Sequence, residues 1–290
     1  MNVLSKKANE PITTPESKGV PSNTSEMRRR LLVNSLRVLV LVVFFVGWEF
    51  ASRVGIIDSF FWGRPSGILQ QLVTWVTQGT AQGPLWKQIA VTLEEAVFGF
   101  VFGVVFGVVF GVVLGGNRFL AEVLGPYIKA ANSIPRIVLG SIFAIGLGLG
   151  IQSKIALAAV MVFFIVFFNA FQGVREVDRN LLANARILGA SRRQLSTAVI
   201  IPSALSWITA SLHTSFSFAL VGAIVGEYLG STEGIGLMIQ TAQGTFNING
   251  VFAAMAILVV VALLADALIT ALENRLIRWR PSALEQALSI

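Results

Sequence analysis

The chain has no cysteine and a single histidine. These two absences remove disulfides, thiolate nucleophiles and cysteine- or histidine-rich metal sites. Charge is scarce as well: Asp, Glu, Lys and Arg are 13% of the 290 residues, against ~25% in an ordinary soluble domain. No GxxxxGK[ST] stretch occurs, so the sequence offers no Gly-rich cradle for nucleotide phosphates. It also lacks the clustered His, Cys or carboxylates that a membrane enzyme needs. What the chain has instead is apolar bulk. It is 54% hydrophobic with a mean hydropathy of +0.75, more than one globular core can hide. The composition reads as an all-α polytopic membrane protein. The net charge of +7 follows the spans and forms no single basic stripe, which argues against nucleic acid.

Six apolar stretches predict transmembrane helices, at about Leu31–Ala51, Gln88–Gly115, Gly125–Gly148, Ile155–Phe171, Ala204–Val225 and Val251–Leu272. Residues 1–30 are expected to be a disordered cytoplasmic tail, 31–280 a membrane domain with its core at 88–273, and 281–290 a cytoplasmic C-terminal tail. An even number of spans puts both termini on one side. Arg28, Arg29 and Arg30, Arg118, the five arginines between Val174 and Pro202, and Arg275, Arg278 and Arg280 all fall on that side; the opposite side holds only Arg53, Arg64, Lys87 and Lys154. The Lys/Arg excess makes the orientation N-in, C-in.

Three local patterns stand out. Gly99, Gly103, Gly107, Gly111 and Gly115 recur every fourth residue and line one helix face, where another backbone can approach closely. That face serves either a contact between copies or packing within the chain. Ile68, Leu69, Leu72, Val73 and Val76 recur at helical spacing, as in a short amphipathic helix on the outer leaflet. In the fifth span Ser206, Ala210, His213 and Ser217 share a face flanked by Thr209 and Thr214. Such polar residues either line a water-filled path or bond back to their own helix.

The most informative segment is the cytoplasmic loop 174–203, VREVDRNLLANARILGASRRQLSTAVIIPS. Leu181, Leu182, Ala185 and Leu188 have helical spacing, Gly189 breaks it, and a second helical run leads to Pro202. A helix–Gly–helix hairpin of this kind makes a knob that fits a groove on another protein. Its bland alternative is an amphipathic helix resting on anionic lipid. The loop resembles the coupling motif of binding-protein-dependent ABC importer permeases: Glu-Ala-Ala, three residues, Gly, nine residues, Ile-x-Leu-Pro. The matching positions are Ala183, Asn184 and Ala185, then Gly189, then Val199, Ile201 and Pro202. Ala183 replaces the family's Glu and Asn184 its Ala. Further likeness lies at Val54-Gly55-Ile56, Ser133-Ile134-Pro135-Arg136, Gly226-Glu227, Gly234-Ile235-Gly236 and Arg275–Trp279. The text is most similar to the permeases of nitrate, taurine, alkanesulfonate and bicarbonate importers.

The resemblance implies a type I importer fold in a bacterial inner membrane, two permease copies, a cytoplasmic ATPase dimer and an extracytoplasmic binding protein that delivers a small anionic solute. ATP and Mg would sit on the ATPase, leaving this chain without cofactor, metal or catalytic residue. It assigns ATPase coupling to Leu182, Ala183, Asn184, Ala185, Arg186, Leu188, Gly189, Ala190, Ser191, Arg192, Arg193 and Pro202. The path falls to Ser206, Thr209, Ala210, His213 and Ser217, and the outer mouth to Glu227, which there contacts the binding protein or caps a helix end. The competing reading is an ion-coupled secondary transporter, which calls for related halves and paired intramembrane carboxylates. No half-to-half repeat is evident.

Overall fold

The computed structural model describes residues 23–177 and 179–276, and every structural statement below concerns these. The tails at 1–22 and 277–290, with Arg278 and Arg280, lie outside them, as do the side chains of Arg30, Arg179 and Arg192. The chain divides into two units, Met1–Ile57 and Asp58–Ile290.

The first unit is one helix, α1 (Asn23–Val54). Its 32 residues reach about 48 Å at 1.5 Å per residue, more than the ~30 Å hydrocarbon core requires. Arg53 pairs with Glu49 one turn back at 2.7 Å, near the end of the apolar run.

The second unit opens with a short helix, α2 (Ser59–Trp62), capped by Asp58, whose Oδ1 accepts from the Phe60 N–H at 2.8 Å. Pro65 then starts α3 (Pro65–Thr77), where a missing N–H costs nothing. This is the amphipathic helix expected from the sequence, but it is not simply laid on a leaflet. Ile68, Leu72 and the buried Trp75 pack into the core, while Leu69, Val73 and Val76 are exposed.

The frame of the unit is three long helices: α4 (Leu85–Gly116), then, after α5 (Arg118–Asn132) and α6 (Arg136–Leu147), α7 (Ile151–Arg175) and, after the cytoplasmic loop, the long helix Ile201–Leu229. The glycine repeat on α4 meets α7 in register. Gly99 faces Ala158, Gly103 faces Val162, Gly107 Val166, Gly111 Ala170 and Gly115 Val174. A Cβ at Gly103 would lie 2.5 Å from the Val162 Cβ and 2.7 Å from the Ala159 carbonyl. Of the two roles open to this face, the structure shows intrachain packing.

Both residue numbers rise together along the seam, so α4 and α7 are parallel. The chain between them must therefore recross the same depth. The sequence predicts one continuous span there, Gly125–Gly148; the structure breaks it into α5 and α6, bent by 87°. Pro135 is the cause. It disfavours helical backbone at the residue before it and has no N–H to continue the ladder. Among the described residues, five helices are long and apolar enough to cross a membrane, and the bent pair makes a sixth.

The loop after α7 forms α8 (Arg179–Ile187), α9 (Arg192–Leu195) and a π-turn at Ser196–Ile200, which runs into α10 (Ile201–Leu229). Helix α10 packs antiparallel on α7. Gly173 lies against Ala204 and Trp207, while Gly222 and Gly226 lie against Ala158 and Lys154. A short helix, α11 (Ile235–Gly244), turns back at the outer end, and α12 (Ile248–Leu276) returns toward the cytoplasm. Val162, Val166, Phe216, Ala219, Leu220, Ile235, Met238 and Ile257 form the apolar centre that these helices share.

Candidate functional site

The turn at the tip of the loop is hydrogen-bonded on both sides. At the end of α8 the Ala190 N–H donates to the Ala185 carbonyl at 3.0 Å and the Gly189 N–H to the Arg186 carbonyl at 2.9 Å. This pair of bonds closes a helix through a left-handed residue, and Gly189 supplies it with φ +81°, which a Cβ would strain. Two residues later the next helix begins with a reciprocal cap. The Gln194 N–H donates to Ser191 Oγ at 3.3 Å, and the Ser191 N–H donates to Gln194 Oε1 at 2.8 Å. A Ser-x-x-Gln box of this kind satisfies two free N–H groups at once.

The outcome is an apolar tip with nothing of its own to cover it. Ile187 and Leu188 are 83% and 86% exposed. Leu181, Ala183, Asn184, Arg186, Ser191 and Arg193 are exposed beside them, Leu182, Ala185 and Ala190 are half-buried, and Leu195 is buried and anchors the second half. No heavy atom lies within 4 Å of the position a Gly189 Cβ would take. Pro202 stands in the first turn of α10, joining the knob to that helix with no free N–H lost.

Along α10 the five residues read as path-lining fall on the outer surface of the chain. Ser206, Ala210 and Ser217 are exposed; Thr209 and His213 are half-buried. Thr209 Oγ1 also donates back to the Leu205 carbonyl at 2.9 Å, and Ser217 Oγ to that of His213 at 3.3 Å. The Thr209 and Ser217 hydroxyls thus bond their own helix, one of the two sequence alternatives, and the face they share is open. The opposite face, including Ala204, Ile208, Ser211, Ser215 and Ala219, is buried in the frame. His213 is tied across to α12, its Nδ1 lying 2.6 Å from Asp266 Oδ1. Arg136 bonds Asn132 at 2.8 Å and lies 5.5 Å over the Phe164 ring.

Glu227 is corrected from the mouth to the interior. It has no exposed surface, so it presents nothing to an outside partner and performs the other role expected of it, capping a helix end. Its Oε2 accepts the Gly236 N–H at 2.6 Å at the start of α11, and its Oε1 accepts from Thr92 Oγ1 at 2.6 Å. The Ile235 N–H donates to Thr92 Oγ1 at 2.9 Å and the Gly234 N–H to Gln88 Oε1 at 2.7 Å. The first three amides of the α11 turn thus all find buried acceptors, which a helix N-terminus needs in a dry site. Gly234 and Gly236 leave room: a Cβ at either would collide with Glu227. Glu95 and Lys154 are buried in the same region. The Lys154 Nζ donates to the carbonyls of Leu149 and Gly150.

Residues 103–278 match the family described as binding-protein-dependent transport system inner membrane component. The chain belongs to this family. Among its relatives, the riboflavin transport system permease protein RibX of Chloroflexus aurantiacus is 37% identical over 205 residues, covering 71% of this chain and 76% of that protein. The taurine transport system permease protein TauC of Escherichia coli is 28% identical over 84% and 90% of the two chains. SsuC of Bacillus subtilis, named for aliphatic sulfonates transport, is 29% identical over 84% and 87%. A solved structure of the MetNI methionine ABC transporter aligns with a TM-score of 0.53 at 22% identity, covering 73% of this chain and 96% of that one; this likeness concerns the fold alone.

The permease is therefore the multi-pass inner-membrane subunit of an ABC importer, a transport protein and not itself an enzyme, and its family works with an ATPase and a binding protein. The secondary-transporter reading falls away with the family. Sequence reasoning missed Gln88, Thr92 and Lys154 as partners in the buried cluster. The available signal was slight: Gln88, Thr92 and Glu95 are polar residues in the outer part of the second predicted span, and Lys154 stands just before the fourth.

Proposed function

We propose that two copies of this permease form the translocation unit of an importer for a small anionic solute of the sulfonate and taurine class, with nitrate and bicarbonate as the nearest alternatives. The knob Leu181–Gln194 docks in a cleft of a separate ATPase subunit, which binds the ATP and Mg. The observation carrying this reading is the knob itself: an apolar tip, Ile187 and Leu188, held fully open by a Gly-closed turn and a capping box. Exposed large apolar side chains on a rigid charged protrusion are what a partner's groove buries. Arg186 and Arg193 are placed to meet acidic residues at the rim of that groove.

The knob is continuous with α10 through the π-turn and Pro202. Movement imposed by the ATPase is thereby delivered to the helix whose open face carries Ser206, Thr209, Ala210, His213 and Ser217, and that face lines the path between the two copies. The sulfonate class is supported by TauC and SsuC, each of which covers 84% of this chain. Riboflavin is a second reading because RibX is the more identical at 37%. The test is ATP-dependent uptake in proteoliposomes holding the permease, its co-purified ATPase and its binding protein, with taurine, an alkanesulfonate, nitrate, bicarbonate and riboflavin offered in turn. Accumulation of taurine or of one of the small anions, lost in Leu188→Asp, supports the proposal. Accumulation of riboflavin alone replaces the substrate class, and uptake undiminished in Leu188→Asp overturns the coupling role.

A further inference from the structure

The inner end of the second unit holds a cavity of about 610 Å³ between α5 and the ends of α4 and α7. One wall is aromatic. Phe163, Phe167 and Phe171 stack in sequence along α7 with ring centroids 5.7 and 6.0 Å apart, and Phe167, Phe168 and Phe171 face the cavity together with Leu114 and Ile128. The cavity is thus apolar over nearly all its surface and long enough for part of a hydrocarbon chain.

Its rim is charged. Lys129 and Arg175 both line it, as does Glu122. The carboxylate is already taken, paired with Arg118 at 3.0 Å on the same helix. Arg175 lies 5.2 Å over the Phe171 ring, which orients a guanidinium without neutralising it. Lys129 has no ion-pair partner among the described residues. The rim therefore presents two cations whose charge is not cancelled.

Depth decides what such a site meets. Leu114 and Arg175 close the cytoplasmic ends of α4 and α7, the side that the Lys/Arg distribution assigns to the cell interior. Helix α5 has the marks of an interfacial helix at that depth: Phe119 and Tyr127 are exposed, and Arg118 and Lys129 flank them. A basic rim over an apolar slot at the inner leaflet matches an anionic phospholipid, its acyl chain against the phenylalanines and its phosphate between the two cations.

We propose that this cavity is a binding site for one anionic phospholipid, with Lys129 and Arg175 holding the headgroup phosphate and the Phe167–Phe171 wall holding a chain. The lipid would fill the space behind α5 and fix the bent α5–α6 crossing, which is otherwise lightly packed.

The test uses the purified permease complex exchanged into nanodiscs of phosphatidylglycerol and phosphatidylcholine, with lipid retained after detergent release counted by native mass spectrometry. Wild type is expected to keep one phosphatidylglycerol per permease copy in preference to phosphatidylcholine. The Lys129→Ala/Arg175→Ala variant loses that preference. Gly125→Leu projects a side chain into the cavity and lowers retention, because Gly125 lines it and no heavy atom lies within 4 Å of a Cβ there. Equal retention in wild type and both variants overturns the proposal. So does displacement of the lipid by added taurine, which would make the cavity a cargo subsite, or loss of the second permease copy in the variants, which would make it a contact between copies. Retention is read without transport, so it stands or falls separately from the importer function.

Discussion

The α4–α7 seam and the α8–α9 knob are built on opposite rules. At the seam every fourth side chain is deleted, so the backbones of Gly103 and Ala159 nearly touch and nothing is left for another molecule. At the knob the backbone is fully satisfied by its own turn and cap, and Ile187 and Leu188 are left bare. Without a hydrophobic drive between helices in lipid, a membrane frame depends on close packing. A docking element depends on apolar surface not yet spent. The seam therefore carries stability and the knob carries exchangeable contact, and substitutions should separate the two.

The largest effect is expected at the seam. Gly103→Leu puts a side chain where even a Cβ meets Val162 at 2.5 Å. Overpacking costs about 1–3 kcal/mol, here toward the upper end because backbone as well as side chain is met, and the variant should lose most of its folded yield in detergent-solubilised fluorescence size exclusion. Recovery at wild-type yield would show that the seam yields more easily than its distances imply.

Next comes the buried cap. Glu227→Ala orphans the Gly236 N–H inside the protein, at about 1–3 kcal/mol for an unpaired buried group, and leaves the Thr92 hydroxyl only the Gln88 carbonyl at 3.2 Å. Its melting temperature should fall clearly, while Glu227→Gln, which keeps one acceptor, should fall less. Equal loss in both would place the effect in the charge and not in the cap.

At the knob the expected sign is different. Ser191→Ala removes the capping oxygen at a cost of about 1 kcal/mol, felt locally by α9. The global melt should not move, and ATPase co-purification should drop modestly. Smallest is Asp266→Asn, which keeps an acceptor for His213 and sits on an exposed face; its stability should stay within about 0.5 kcal/mol of wild type.

How much of this was legible in the sequence depends on distance along the chain. The glycine stripe and the knob are local patterns: Gly99 to Gly115 repeats within one helix, and the Leu182–Gly189 spacing lies within one hairpin. Both were readable, although the stripe's partner was not, because nothing at Ala158 or Val166 marks them as its receivers. The break between α5 and α6 was passed over because the apolar stretches on either side read as one span, although Lys129, Asn132, Pro135 and Arg136 interrupt the run between them. The Glu227 cluster could not be assembled at all. Gln88, Thr92, Lys154 and Gly236 come from three distant segments, and none of them alone points to the others. Separation along the chain, here 53 residues, likewise hid the His213–Asp266 bond.

The most direct test of the division between frame and knob is Leu188→Asp, measured twice on one preparation. The melting temperature should stay unchanged, because Leu188 is 86% exposed and supports nothing in its own chain. ATPase binding should weaken by about 2 kcal/mol, the loss of one central apolar anchor, or about thirtyfold. A variant that melts lower yet keeps its ATPase would contradict that division, for Leu188 would then belong to the frame.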